Sequence, residues 1–219
     1  MKYSIRSILK ERKRVNVIDV GHHTGNFARQ IPSLTGKSST YIIGIDPIDY
    51  NTGACHKFIK AAISTETGEA KFNTYNKPGC NSLLDMNLHN LIRDRNQKGW
   101  YAPHDIFKTG EVKVDRITLK SILDETDFDI VDILKIDAQG SDLDVALSAG
   151  DWLEKTIFLQ TESLKSTNEI EKMYEGQTTI DEDIKTLGDL GFELIYEHDR
   201  SSFSCPESDL IFVNKKYIK

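Results

Sequence analysis

The chain has 219 residues, of which 38% are hydrophobic, and a formal net charge of −6 at pH 7. This length suits a single domain over 1–219 with one continuous core and is short for two. With no apolar run of about 18 residues, a basic 1–14 stretch lacking the apolar centre of a signal peptide, and an acidic balance unsuited to a phosphate backbone, the sequence reads as cytoplasmic, with no membrane and no nucleic-acid partner.

In chain order, short runs rich in β-branched residues and bounded by Gly, Asp or Pro predict buried strands at 15–20, 41–45, 58–63, 131–136, 157–161, 192–196 and 210–213. Phe27, Ile31 and Leu34 recur at helical spacing and predict a helix over 26–34 between the first two strands. Residues 74–112, broken by Gly79, Gly99, Gly110, Pro78 and Pro103, predict a loop-rich insertion or cap over the functional edge. Leu143, Val145, Ala146 and Leu147 predict a helix after the fourth strand, and 170–190 a longer one before the sixth. The last two strands are joined by the turn-rich 199–208 without a helix, which predicts an antiparallel hairpin at the sheet's end. The alternation of strand and helix predicts the α/β class: a mostly parallel sheet with helices on both faces. Cys55, Cys80 and Cys205 lie too far apart for a C-x-x-C element and read as free thiols.

The first strand runs through Asp19 into Gly21-His22-His23-Thr24-Gly25. A pyrophosphate cradle needs several glycines so that backbone amides can approach the phosphates, and His23 stands where the second would be. A zwitterionic nucleoside without phosphate, such as S-adenosylmethionine, needs one close backbone approach and a nearby carboxylate, which Gly21 and Asp19 offer. The alternative is that Asp19 closes the strand while Gly21 and Gly25 serve the turn. Asp46 ends the next strand, 25 residues past Gly21, near the spacing of roughly 20 at which an acid holds the two hydroxyls of a ribose.

Several blocks follow one another from 15 to 162: Ile18-Asp19-Val20-Gly21 with Gly25, Gly44-Ile45-Asp46-Pro47, and Ala61-Ala62-Ile63-Ser64 with Gly68 and Phe72. After them come Asn81-Ser82-Leu83, Val114-Asp115-Arg116-Ile117-Thr118-Leu119, Leu134-Lys135-Ile136-Asp137-Ala138-Gln139-Gly140 and Gln160-Thr161-Glu162. Together they resemble the FkbM-type methyltransferases, which use S-adenosylmethionine. The resemblance implies a class I, Rossmann-like methyltransferase sheet of seven strands with the last antiparallel. It implies Asp19, Gly21 and Gly25 around the methionine end of the cofactor, Asp46 on its ribose, Ala62 near its adenine, and Asp137 facing the reacting methyl group. It also implies O-methylation of a hydroxyl on a sugar, glycan or other small natural product. Two departures stand out: His22 and His23 replace the small or amide residues usual there, and Ala138-Gln139-Gly140 replaces the common Val-Glu-Gly.

A neutral hydroxyl is a poor nucleophile and needs a base as the new bond forms. Asp137, at the end of a central strand, is the first candidate for that base; the other reading is that it holds the cofactor ammonium. His22 or His23 could serve as base instead, with His22 the second catalytic candidate, since imidazole titrates near neutrality. Asn81, Ser82 and Glu162 are candidates for acceptor binding, Lys135 for local pairing only, and no metal is assigned. Two alternatives to a methyltransferase are a nicotinamide-dependent oxidoreductase, opposed by the incomplete glycine fingerprint, and a methyltransferase-like binding protein without turnover, motivated by Gln139 and the histidines.

Overall fold

The strands are β1 (Val15–Val20), β2 (Thr40–Ile45), β3 (Lys57–Ile59), β4 (Ala62–Ile63), β5 (Gly68–Tyr75), β6 (Lys108–Ile117), β7 (Val131–Ile136), β8 (Thr156–Leu164), β9 (Phe192–Asp199) and β10 (Glu207–Asn214). The helices are α1 (Ile5–Ile8), α2 (Asn26–Thr35), α3 (Leu119–Leu123), α4 (Asp142–Leu147) and α5 (Ile180–Asp189). The computed structural model describes residues 3–87, 106–165, 172–199 and 207–218.

Seven strands form one sheet in the order β3-β2-β1-β7-β8-β10-β9. The pairs from β3 to β8 are parallel, and β10 runs antiparallel to both β8 and β9. This is the α/β architecture expected of a class I methyltransferase sheet. In β1 and β7 every residue is buried, as a strand covered on both faces requires. Ile18, Val20, Leu134, Ile136 and Leu159 pack on one face with residues of α3, α4 and α5. Val15, Val17, Ile42 and Ile133 pack on the other with Ile5 of α1 and Ala28 and Ile31 of α2. No helix among the described residues is long and apolar enough to cross a membrane.

Three expectations change in detail. The run at 58–63 divides: β3 joins the main sheet and β4 joins a separate three-stranded sheet of order β4-β6-β5. Residues 74–112 are not wholly loop, because the arms of the β5–β6 antiparallel pair occupy both ends of that stretch. The residues 88–105 within it lie outside the described residues, as do 200–206 of the hairpin connection and Cys205. Of the long helix expected over 170–190, residues 170–171 lie outside the described residues, and the described part becomes helical only at Ile180. Gly176 has φ 80°, and a capping box, in which the Glu182 carboxylate accepts from the Thr179 amide at 2.8 Å, starts the helix there.

The N-terminal segment is tied to the start of β7 by Arg12, whose guanidinium donates to both oxygens of Asp129 at 3.1 and 3.0 Å. Its Nε lies 2.7 Å from Oδ1 of Asp132, a fully buried carboxylate that also accepts from the Asn16 amide at 2.8 Å. Burial pushes the Asp132 carboxyl up, while that amide and Arg12 hold it down; Arg12 lowers the exposed Asp129 to about 2. Arg12→Ala strands the Asp132 charge and is expected to cost about 3 kcal/mol in urea unfolding. Lys113→Ala, which removes an exposed pair with Glu69, is expected to cost less than about 1 kcal/mol. Equal losses would show that the buried carboxylate is not the source.

Candidate active site

The parallel strands end in register, Val20 lying beside Ile45 of β2 and Ile136 of β7. The chain therefore leaves three adjacent strands at one edge of the sheet. From β1 the order runs outward in both directions, with α2 packed on one face and α4 on the other. A crevice opens where connections diverge in this way, at the carboxyl ends of the strands.

Gly21 makes the crevice possible. Its φ is 70°, and a Cβ built on it would lie 2.0 Å from the carbonyl oxygen of Asp137. The turn after β1 thus rests directly on the turn after β7. The amides of Gly21 and His22 donate to the Ile45 carbonyl at 3.0 and 3.1 Å, and the Asp137 amide donates to the Val20 carbonyl at 3.2 Å. Asp46 is folded over the same turn: Oδ2 accepts from the His23 amide at 2.9 Å and Oδ1 from the Ile48 amide at 2.8 Å. Burial pushes the Asp46 carboxyl up, and the two amides oppose it.

Lys135 sits beneath these turns. Its ammonium donates to the carbonyls of Val20 and Gly21 at 3.1 and 3.0 Å, and it lies 3.3 Å from Asp19 Oδ1 and 3.5 Å from Asp137 Oδ2. Burial would pull the ammonium down, but Asp137, Asp19 and Asp142 outweigh it and leave Lys135 raised. Asp142, buried at the start of α4, is pushed well above the ordinary carboxylate range by burial and by Asp137 and Glu207.

A cavity opens above this layer. Of the residues singled out in the sequence, Gly21, Asp46, Ala62, Asn81 and Asp137 line it. Asp19, Gly25, His22, Ser82 and Glu162 are not among its lining residues. Asp19 is completely buried and is held by Lys135 and His22. His22, expected as a candidate base, faces away from the cavity: its Nδ1 lies 2.8 Å from Asp19 Oδ2, its Nε2 3.2 Å from Thr52 Oγ1, and the ring is buried against Gly44. Gly25 begins α2, where a Cβ would lie 2.5 Å from that of Ala54. Ser82 is buried and donates to the Gln139 carbonyl at 2.7 Å. Glu162, buried on β8, accepts from the Gln139 amide at 3.1 Å.

Sequence reasoning missed several lining residues. Tyr50 is one, standing edge-on with ring centroids 4.6 Å apart to His23, the histidine named with His22 as a candidate base, which reaches the cavity at φ 43°. Phe72 and Leu83 supply apolar wall, and Gln139 and Ser141 add polar groups beside Asp137. Lys135, assigned only local pairing, carries more than that: a lysine inside the otherwise apolar run Ile133-Leu134-Lys135-Ile136 must find partners in the interior, which was the available signal.

A family model described as the methyltransferase FkbM domain matches residues 19–194. The 2-O-methyltransferase NoeI of Sinorhizobium fredii (strain NBRC 101917 / NGR234) is 25% identical over 218 residues, covering 95% of this chain and 83% of that protein. A crystal structure of OxaC in complex with SAH and oxaline matches at a TM-score of 0.43 and 11% identity, covering 96% of this chain and 46% of that one. The chain thus spans about half the length of that solved structure.

Substitutions at two glycines separate close approach from backbone preference. Gly21→Ala, blocked by the Asp137 carbonyl, is expected to cost about 3 kcal/mol in denaturant unfolding. Gly53→Ala, at φ 60° but with nothing within 4 Å, is expected to cost about 1 kcal/mol. Similar midpoints for the two variants would contradict the packing of one turn on the other.

Proposed function

The chain belongs to the FkbM methyltransferase domain family, and from that premise we propose that it methylates a hydroxyl of a neutral, hydroxyl-rich acceptor: a sugar, a glycan or another small natural product. Membership makes it an S-adenosylmethionine-dependent methyltransferase and sets aside the nicotinamide oxidoreductase. One observation carries the choice of acceptor: among the described residues, the cavity lining includes Asp46 and Asp137 but no Lys or Arg. A phosphorylated or otherwise anionic acceptor would meet no fixed positive side chain there. The oxygen specificity printed for the NoeI relative supports the same reading.

The residues fit the cofactor. Each oxygen of Asp46 holds one backbone amide and keeps lone-pair capacity for a ribose hydroxyl. Ala62, Ile63 and Phe72 offer an apolar wall suited to adenine, and Gly21 leaves the floor of the cavity free of a side chain. When bound, S-adenosylmethionine supplies an electrophilic methyl group on a sulfonium. Asp137 accepts the proton of the acceptor hydroxyl as that oxygen becomes the nucleophile. Lys135 on one side and Gln139 on the other fix the orientation of its carboxylate. Asn81 contacts the acceptor, and His23, which packs on the same Tyr50 that Asn81 meets, offers a further polar group. The free thiols Cys55 and Cys80 suit the reducing cytoplasm.

Isothermal calorimetry with S-adenosylhomocysteine and a labelled-methyl assay over a panel of hydroxylated sugars test this reading; absence of both binding and transfer would end it. Asp46→Ala is expected to weaken S-adenosylhomocysteine binding by about ten- to a hundredfold, the scale of hydrogen bonds to a charged group. Asp137→Asn is expected to lower kcat by about a hundredfold or more while leaving that affinity within a few fold. Comparable losses in kcat and affinity would reassign Asp137 to the cofactor ammonium.

A further inference from the structure

Gln139 occupies a backbone conformation that residues with a Cβ rarely adopt, φ 52°, and is followed by Gly140 at φ 96°. Its side chain is buried among groups from separate segments. Nε2 lies 2.7 Å from Asp137 Oδ1 and 3.1 Å from Glu162 Oε2, while Oε1 lies 2.9 Å from the Tyr174 hydroxyl. The two carboxylates decide the orientation of the carboxamide, because their oxygens only accept, whereas the Tyr174 hydroxyl, whose one hydrogen also has the Cys80 carbonyl at 3.0 Å, can meet either end. The reverse orientation would set the amide oxygen against two acids. The NH2 group has two hydrogens, and one goes to each carboxylate.

Two carboxylates converging on one donor, one buried on β8 and one at the cavity wall, repel, and the usual relief is a shared proton or a bound cation. We propose that Gln139 is a positioning residue whose carboxamide takes the place of that proton or cation, so that Asp137 and Glu162 both carry charge and Asp137 stays aimed into the cavity. This rests on the reading of Asp137 as the group that takes the acceptor proton. The surroundings leave little tolerance for a further acid. Asp142 donates no charge relief, since its oxygens accept the amides of Ala138 at 3.2 Å and Glu162 at 3.0 Å. Glu207 on β10 and the Cys80 thiol also face this cluster, and the Lys135 ammonium is shared with Asp19. A strained backbone held by Ser82 on its carbonyl, with Tyr174 against the side-chain oxygen Oε1, is the kind of arrangement kept where a side chain must be aimed.

The test uses the full chain, with thermal midpoints measured from acid to neutral pH, with and without MgCl2. Gln139→Glu keeps the shape and sets three carboxylates together; Gln139→Met keeps the bulk and offers no donor. A carboxyl raised in the folded state withholds stability above its ordinary range, so the deficit belongs to neutral pH and closes on acidification. Both variants are expected to match the wild type at acid pH and fall below it toward neutrality, and Mg2+ is expected to restore Gln139→Glu while leaving the wild type unmoved. A deficit independent of pH and Mg2+ would mean that Gln139 merely fills space, and would overturn the proposal; so would a wild type stabilised by Mg2+ as strongly as Gln139→Glu. With an acceptor from the panel, Gln139→Met is expected to lose about ten- to a hundredfold in kcat, with the acid limb of its pH profile moved up. If the wild type does not bind S-adenosylhomocysteine, the methyl-transfer reading falls, while the pH and Mg2+ behaviour still decides the role of the carboxamide.

Discussion

A single buried ammonium organises the functional edge of this protein. Taking Lys135 out of water carries a penalty of several kcal/mol, and only close, well-directed partners can offset it. The partners are two carbonyls at the tip of β1 and the acids Asp19 and Asp137. Because the carbonyls belong to one strand end and the lysine to its neighbour, the ion fixes the tips of β1 and β7 relative to each other. Gly21 then completes the contact by having no side chain to hold the turns apart.

From that anchor the remaining acids divide by depth. Asp19 and Asp142 lie beneath the cavity and are consumed by internal hydrogen bonds and ion pairing. Asp46 and Asp137 stand at its surface and retain accepting capacity toward a ligand. The lower acids act through the upper ones: Asp19 fixes the lysine that orients Asp137, and Asp142 gathers the loop that carries Gln139. The surface of the cavity therefore rests on acids buried beneath it, which is why an acid at a strand end does not by itself line the cavity.

The same distinction explains what could be read in the amino-acid sequence. β1, β2 and β7 were legible because strands covered on both faces become continuous apolar runs, and the acids that end them, Asp46 and Asp137, stood out against that background. β5 and β6 were not, because much of their surface is wet and residues such as Lys71, Lys113 and Arg116 interrupt the pattern; the alternation of Val112 and Val114 with charged neighbours was the faint signal. Choosing between His22 and His23 was beyond pattern reading. Their directions depend on the turn geometry around Gly21, which sends one ring to Asp19 in the interior and the other to Tyr50. Glu162 and Ser82 were recognised as polar groups near the site, but their orientation toward Gln139 depends on contacts between segments far apart in the chain.

The position of β10 between β8 and β9 has a consequence for synthesis. β9 leaves the ribosome first, yet its neighbour in the sheet is β10, which follows it. Until β10 is released, β8, paired with β7 on one side, presents an open edge and β9 has no ladder to join, so the nascent chain carries one open sheet edge and one unpaired strand at once. Chaperone protection during translation would matter most in that interval, after the half that carries β1, β2 and β7 has emerged and before the far edge of the sheet can close.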